Sequence, residues 1–318
     1  MLNSLKFVAG AVAKKDFIPS LTHFVIENGH VRGFNGVIGL SSPIPFDISC
    51  KPKAETLIKA IANCNDVVQL SLTPKGRLSV KSGSFKVFID CVEGETPHAT
   101  PEGTVINFDG EALLAGLKAV APFIGNDASR MWANGVLIEK GSLFSTNNII
   151  LVQYWTGIQL PNAINLPRDA VKEMLRINEA PLYAQLTEHS ISFHYAEDRW
   201  LRTQLFDTTS WPDLDKILNG TSTQTAIDKD LFVALPVLKP FVDKQGTILI
   251  GGGRLTTHID ETEGAVYDVP GLVDEGKFNI SMLELLEGVA ETIDWTSYPK
   301  PCLFRGGRLR GAIVGMRK

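Results

Sequence analysis

The sequence predicts an α+β fold built from three copies of one helix–strand unit. An apolar-periodic helix, strand-like alternation and a second helix recur in this order three times along the 318 residues. Strands follow each second helix in adjacent pairs separated by turn residues, which indicates hairpins. Because helices are too few for one crossover per strand, a doubly wound parallel sheet is disfavoured.

Each copy opens with a helix predicted from apolar periodicity, at residues 4–12, 111–123 and 228–242. Strand alternation follows these helices at residues 22–26, 134–139 and 247–251. The second helices are predicted at residues 51–63, 167–177 and 280–290. Two of them carry proline in or next to the first turn, where the missing N–H costs little, and Asn279 is a plausible N-cap for the third.

A predicted hairpin is the last element of each copy. Their strands are predicted at residues 67–72 with 77–81, 182–187 with 191–195, and 302–304 with 309–314. Turn-rich joins then divide the chain into three small domains, predicted at residues 1–104, 105–220 and 221–318. An antiparallel sheet with both helices on one face fits this order of elements.

Composition limits the classes of function. The net charge is −4 and the pI is about 5.9, whereas proteins that coat nucleic acid are usually basic. The four cysteines show no CxxC spacing, which is typical of reduced residues in a cytoplasmic protein. No apolar run approaches the ~18 residues of a membrane span, so we expect no membrane association.

The sequence gives no catalytic constellation. Gly251, Gly252 and Gly253 lack the Lys-Ser/Thr of a phosphate-binding loop and read as a turn at the end of a strand. His189 and His194 could suggest a metal, but strand alternation predicts that His194 is a surface residue. We therefore expect no enzyme activity, no cofactor and no metal, although an enzyme remains the main rival class.

Several short segments, in order along the chain, resemble the bacterial DNA sliding clamp, the DNA polymerase III beta subunit family. Thr146 lies in a segment, 143–151, that is similar to the family's "ATDGHRLA", and residues 207–213 are similar to "DGxFPDY". The other similar segments are 80–83, 129–139, 164–167 and 313–317. The chain departs from the family at residues 147–150, which replace "DGHR", and at Gly315, which replaces a proline.

The resemblance implies a closed ring of two chains that encircles duplex DNA without reading its sequence. Only the inner helix faces then need positive charge. Arg168, Lys172 and Arg176 fall at i, i+4 and i+8 on one helix, with Val171, Met174 and Leu175 toward the core. The implied pore residues are Lys14, Lys15, Lys51, Lys53, Lys59, Lys118, Arg168, Lys172 and Arg176. Any one of these lysines could equally belong to an ordinary solvated helix face, and Glu284, Glu287 and Glu291 make the third copy's second helix acidic.

The resemblance also implies a groove that receives short linear peptides of a DNA polymerase and a clamp loader. Its implied lining is Thr146, Ile150, Leu151, Val314 and Met316, although Leu151 and Val314 could simply be core residues. The implied ring contact joins Val87 and Ile89 of one chain to Phe241 and Val242 of its neighbour, through strand edges. The expected function is a cytoplasmic processivity factor, and the alternative is a clamp-fold module that captures such peptides without encircling DNA.

Overall fold

The computed structural model describes residues 1–258 and 264–317, and it has the predicted α+β class. The chain forms two compact units. The first contains Met1–Leu114 and Asp169–Leu205, and the second contains Ala115–Arg168 and the described residues from Phe206 onward. The division into three domains at residues 104 and 220 stays a prediction.

The helices occur where the periodicity predicts them, with different bounds, except for a short helix at Leu214–Leu218 that the sequence analysis did not predict. They are α1 (Leu2–Val8), α2 (Ala54–Ala62), α3 (Gly110–Val120), α4 (Arg168–Ile177), α5 (Leu214–Leu218), α6 (Asp230–Leu238) and α7 (Ile280–Glu284). Short 3-10 turns extend three of them, at Ala9–Ala11, Ala121–Phe123 and Lys239–Phe241. The helix predicted at residues 280–290 ends at Glu284, well before the expected bound.

The strands alternate with these helices in the predicted order. They are β1 (Val25–Glu27), β2 (His30–Phe34), β3 (Ile38–Pro43), β4 (Gln69–Leu72), β5 (Leu78–Ser82), β6 (Phe85–Ile89), β7 (Thr104–Ile106), β8 (Gly135–Glu139), β9 (Ser142–Thr146), β10 (Ile150–Trp155), β11 (Ile164–Pro167), β12 (Tyr183–Leu186), β13 (Ser190–Tyr195), β14 (Arg199–Gln204), β15 (Thr225–Ala226), β16 (Thr247–Gly251), β17 (Arg254–Thr256), β18 (Val266–Asp268), β19 (Gly276–Asn279), β20 (Thr292–Ile293), β21 (Cys302–Gly306) and β22 (Leu309–Ile313).

The first unit contains two antiparallel sheets. The longer has the order β1-β2-β3-β14-β13-β12-β7, and the shorter has the order β4-β5-β6. The pairing of β3 with β14, with Leu201 opposite Leu40, joins strands from different copies of the repeat. Helix α1 packs on β2, β3 and α2, and Leu5, Val31 and Leu57 are buried in this unit.

The second unit repeats this arrangement. Its sheets have the orders β11-β8-β9-β10-β22-β21-β20-β15 and β18-β17-β16-β19. Here β10 pairs with β22, with Leu151 opposite Ala312, and again two copies of the repeat share one sheet. In both long sheets, therefore, the third strand of one copy, counted from the first helix of that copy onward, pairs with the last hairpin strand of another.

Two strands in these same positions remain at sheet edges. Strand β6 is the last hairpin strand of the first copy, and β18 is the third strand of the third copy. Within the described part of the chain, β6 pairs only with β5 and β18 only with β17. Each strand therefore presents one row of unpaired main-chain groups.

An ion pair between a buried carboxylate and a partly exposed guanidinium fastens α4 to α1 in the first unit. The Glu173 side chain is only 7% exposed, and the Arg176 guanidinium donates to its carboxylate at 2.5–3.0 Å. Arg176 also donates from Nη2 to the carbonyl of Phe7 at 2.7 Å. Gly10 leaves the room for this carboxylate, because an added Cβ would lie 1.9 Å from Glu173 Oε1.

We predict that Glu173→Gln lowers the free energy of unfolding by about 2–3 kcal/mol, because it removes the anion that compensates a partly buried guanidinium. Urea denaturation measures the change. Glu55→Gln is the matched control, since Glu55 pairs with Lys59 at 2.6 Å on an exposed helix face, so that its substitution should change the free energy of unfolding much less. Equal losses in the two variants would show that the Glu173 pair has no special role.

Candidate nucleic-acid and partner interfaces

The three basic residues of α4 have different surroundings. Lys172 is exposed and makes no ion pair in the described residues. Arg168 is half-buried and donates to the carbonyl of Gly125 at 3.3 Å. Arg176 is held by Glu173 and the Phe7 carbonyl. Val171 and Met174 are buried, as the helical stripe predicts. Of the three basic residues, Lys172 is the one that is exposed and has no ion pair or hydrogen bond among the described residues.

The basic residues of the first copy are similarly divided. Lys51 and Lys53 precede α2 instead of lying on it, and Lys51 Nζ donates to the carbonyl of Gly94. Lys59 pairs with Glu55. Lys14 and Lys15 are exposed in the loop after the first 3-10 turn, and Lys118 is exposed on α3. Across the part of the chain that the structure describes, the exposed lysines of the predicted set without an ion pair are Lys14, Lys15, Lys53, Lys118 and Lys172.

The acidic character of the third copy's second helix is smaller than the sequence suggests. Glu284 pairs with Lys239 at 2.6 Å, so its charge is compensated. Glu287 and Glu291 lie beyond the end of α7.

The two predicted groove residues that belong to β10 lie on opposite faces of this strand. Leu151 belongs to an apolar cluster with Phe144, Leu303 and Ala312, against which Ile217 packs from the segment of α5. Ile150 alternates to the opposite face and is fully buried, at 0% exposure, so it cannot line a groove beside Leu151. We therefore leave Ile150 out of the proposed groove.

The turn before β10 shapes one end of this surface. Thr146 is buried, and its hydroxyl donates to the carbonyl of Ile150 at 2.8 Å and accepts from the N–H of Asn148 at 3.0 Å. Thr146 therefore holds the turn and offers little surface. Ile149 is exposed at the tip, and its carbonyl accepts from the N–H of Val314, which is 43% exposed. Ile149 and Val314 thus form an apolar mouth next to the Leu151 cluster.

The end of the chain is tied to the third copy of the repeat. The N–H of Met316 donates to the carbonyl of Lys277 at 2.7 Å, and the Met316 carbonyl accepts from Tyr298 Oη at 2.8 Å. Gly315 is needed between these contacts, because a Cβ there would lie 2.5 Å from the Tyr298 ring. This explains in steric terms why the proline of the resembling family is absent here.

The sequence reasoning gave no role to several residues near the predicted groove. Trp132 and Trp211 meet edge-to-face with their centroids 5.1 Å apart, and Arg130 donates to Asn148 Oδ1 at 2.8 Å. The segment after Trp211 carried a signal that could have found α5. Asp213 is an N-cap residue, and its side chain accepts from the N–H of Lys216, so that a helix containing Ile217 could have been predicted there.

The predicted ring-contact residues also differ in how exposed they are. Ile89 is 1% exposed and packs inside its own unit, and Val87 is half-buried. Phe241 is exposed and Val242 is half-buried. The sequence reasoning missed Val233 and Val237, which are exposed on α6 and continue through Phe241 as a row at four-residue spacing. It also missed Phe88, exposed on β6 with Arg77 at 5.1 Å and Lys86 at 4.9 Å from its ring.

His194, which suggested a metal site, packs against neighbouring side chains inside the first unit. His194 is buried, lies 2.8 Å from Gln185 Oε1 and stacks on Tyr183 at 4.4 Å, so the prediction of a surface residue is wrong. Burial lowers the pKa of His194, which favours the neutral ring. Among residues 1–258 and 264–317, no group of three or more His, Cys, Asp or Glu could hold a metal, and no helix is long and apolar enough to span a membrane.

No protein-family sequence model and no curated protein sequence matches the chain. Solved structures do match it over its whole length. A DNA polymerase sliding clamp from Bacillus subtilis gives a TM-score of 0.83 at 16% identity, and a sliding clamp (DNA polymerase III subunit beta) from Bartonella birtlesii bound to griselimycin gives 0.85 at 18%. The beta subunit from Streptococcus pyogenes gives 0.81 at 18%. Each match covers 100% of this chain and 97% of the other. The chain therefore has the fold of the bacterial DNA polymerase III beta sliding clamps.

Proposed function

We propose that the chain is a DNA sliding clamp, a homodimeric ring that encircles duplex DNA and tethers a replicative polymerase in the cytoplasm. The full-length likeness to sliding clamps, at TM-scores of 0.81–0.85, is the observation that carries the proposal. The exposed lysines without ion pairs support it as contacts for the phosphate backbone. Such a protein acts by topology and needs neither a catalytic residue nor a cofactor.

The two free sheet edges suggest how the ring closes. Within each long sheet, a third strand pairs with a last hairpin strand: β3 with β14, and β10 with β22. The same rule would pair β18 of one chain with β6 of a second chain, and this pairing would join their two short sheets into one. The exposed row Val233, Val237 and Phe241 supplies apolar surface that such a contact could bury. Ile89 supports β6 from inside, whereas the exposed side chains are available to the neighbour.

We expect the mass of two chains by light scattering at micromolar concentration, with rings in negative-stain images. Val237→Glu combined with Phe241→Glu should give single chains, because the charges would be desolvated at the contact. Leu182→Glu is the control, since Leu182 is exposed to a similar degree on the first unit.

A single chain in the unaltered protein would contradict the ring and favour the non-encircling binding module. An acidic second helix in the third copy would also favour that module, but the charge of Glu284 is compensated by its ion pair with Lys239.

We predict that Lys14→Glu combined with Lys172→Glu weakens retention on circular duplex DNA while leaving the mass unchanged. Each lost phosphate contact should flatten the dependence of log affinity on log salt by about 0.9. Lys75→Glu is the matched control, because Lys75 is equally exposed but lies on the β4–β5 turn. An unchanged salt slope in the double variant would remove these lysines from the DNA path.

The proposed peptide groove consists of Leu151, Ile217, Ala312 and the exposed mouth of Ile149 and Val314. An apolar anchor of a linear peptide could cover this mouth, with polymerase and loader peptides competing for it. Thr146 and Met316 then act mainly as supports, through their hydrogen bonds to Ile150 and Tyr298.

We predict that Val314→Asp lowers affinity at least tenfold for a synthetic peptide from the tail of a bacterial replicative polymerase, measured by calorimetry. A carboxylate at the mouth would oppose burial of an apolar anchor. Val37→Asp is the matched control, because Val37 is also 43% exposed but lies in the first unit. Full affinity in Val314→Asp would place the groove elsewhere.

A further inference from the structure

The β21–β22 hairpin carries a basic surface that the proposed function does not use. Arg305 and Arg310 are directly opposite each other on the paired strands, and Arg308 lies in the turn between them. Trp155, at the end of the neighbouring strand β10, is 56% exposed. We call these four residues the hairpin platform. They all belong to the second unit.

The positive charge of the hairpin platform is poorly compensated. In the described residues, none of the three arginines makes an ion pair. Arg310 donates to neutral amide oxygens, from Nε to Gln153 Oε1 at 2.6 Å and from Nη1 to Asn219 Oδ1 at 2.9 Å. Burial, followed by the charge of Arg305, lowers the pKa of Arg310, and Asp215 offsets this only in part. Like charges directly opposite each other in a sheet destabilise it, so an anion bound here would relieve the repulsion.

The exposed indole adds a flat apolar surface to this charge. The N–H of Trp155 donates to the carbonyl of Arg308 at 3.1 Å, which fixes the end of β10 against the hairpin turn. The Arg308 guanidinium lies 5.9 Å from the centroid of the indole. Gly157 borders the ring, and a Cβ there would lie 3.6 Å from it. Gly307 has a φ of +53° and open space around it, so the turn leaves room for a ligand.

We propose that the hairpin platform binds single-stranded nucleic acid. Guanidinium groups match the geometry of phosphate oxygens, and an indole beside a guanidinium is a surface on which a base can stack. An acidic protein segment would satisfy the charge but would leave the indole without a planar partner. This binding requires neither a closed ring nor a duplex, so it can be tested apart from the proposed function.

The test uses the full-length protein and a labelled oligothymidylate of about 20 nucleotides, followed by fluorescence anisotropy over a salt series. Arg305→Gln combined with Arg308→Gln should weaken binding at least tenfold. It should also flatten the slope of log affinity against log salt by about 1.4, at about 0.7 for each phosphate contact on a single strand. Trp155→Ala should weaken binding about tenfold with an unchanged slope, and Trp155→Phe should restore part of the loss.

Two controls make the outcome decisive. Arg254→Gln, at an exposed arginine on β17, and Lys75→Glu, at an exposed lysine on the β4–β5 turn, should bind the oligothymidylate as the unaltered protein does. Thermal melting checks that each variant is folded. Unaltered binding by the double arginine variant overturns the proposal, as does no binding by the parent protein. Displacement of the oligonucleotide by polyglutamate at equal charge concentration overturns it in favour of an acidic protein partner.

Discussion

The antiparallel pairing of β10 with β22, like that of β3 with β14, joins two copies of the repeat through main-chain hydrogen bonds. This pairing depends on backbone geometry and tolerates wide change in side chains, provided that the inward faces stay apolar. The paired residues Leu151 and Ala312 satisfy this requirement for apolar side chains in the second unit. Leu40 and Leu201 satisfy it in the first unit. A fold held in this way can persist at 16–18% identity, as the comparison with solved clamps indicates.

Sequence periodicity was enough to predict the fold class and most of the hairpins, because helices and strands bury faces with different periods. It failed where a strand is buried on both faces. All of β13 is buried, so alternation placed His194 outward although it bonds to Gln185 inside the unit. Charge at helical spacing likewise marked Arg176 as a free cation, yet Glu173, three residues earlier, engages it. Contacts with distant residues such as Phe7 decide such cases, and one sequence does not contain them.

The groove shows the same limit. The resemblance directed attention to residues 143–151 and 313–317, but strand register decides which side chain faces out. Ile150 and Leu151 are adjacent, and only Leu151 joins the cluster against which Ile217 packs. Gly315 was identified as a departure from a family pattern without a reason. Its reason is the Tyr298 ring, which the sequence places 17 residues away and the structure places in contact.

The free edges of β6 and β18 have a kinetic consequence if two chains of this protein pair through them. Twofold symmetry gives two identical contacts, and either one can open while the other still holds the chains together. The separated ends then face each other at an effective concentration of the order of millimolar, so reclosure is an intramolecular step. A contact that is weak between free chains can therefore give a long-lived closed state, while a single opened contact is enough to interrupt the ring without separating the chains.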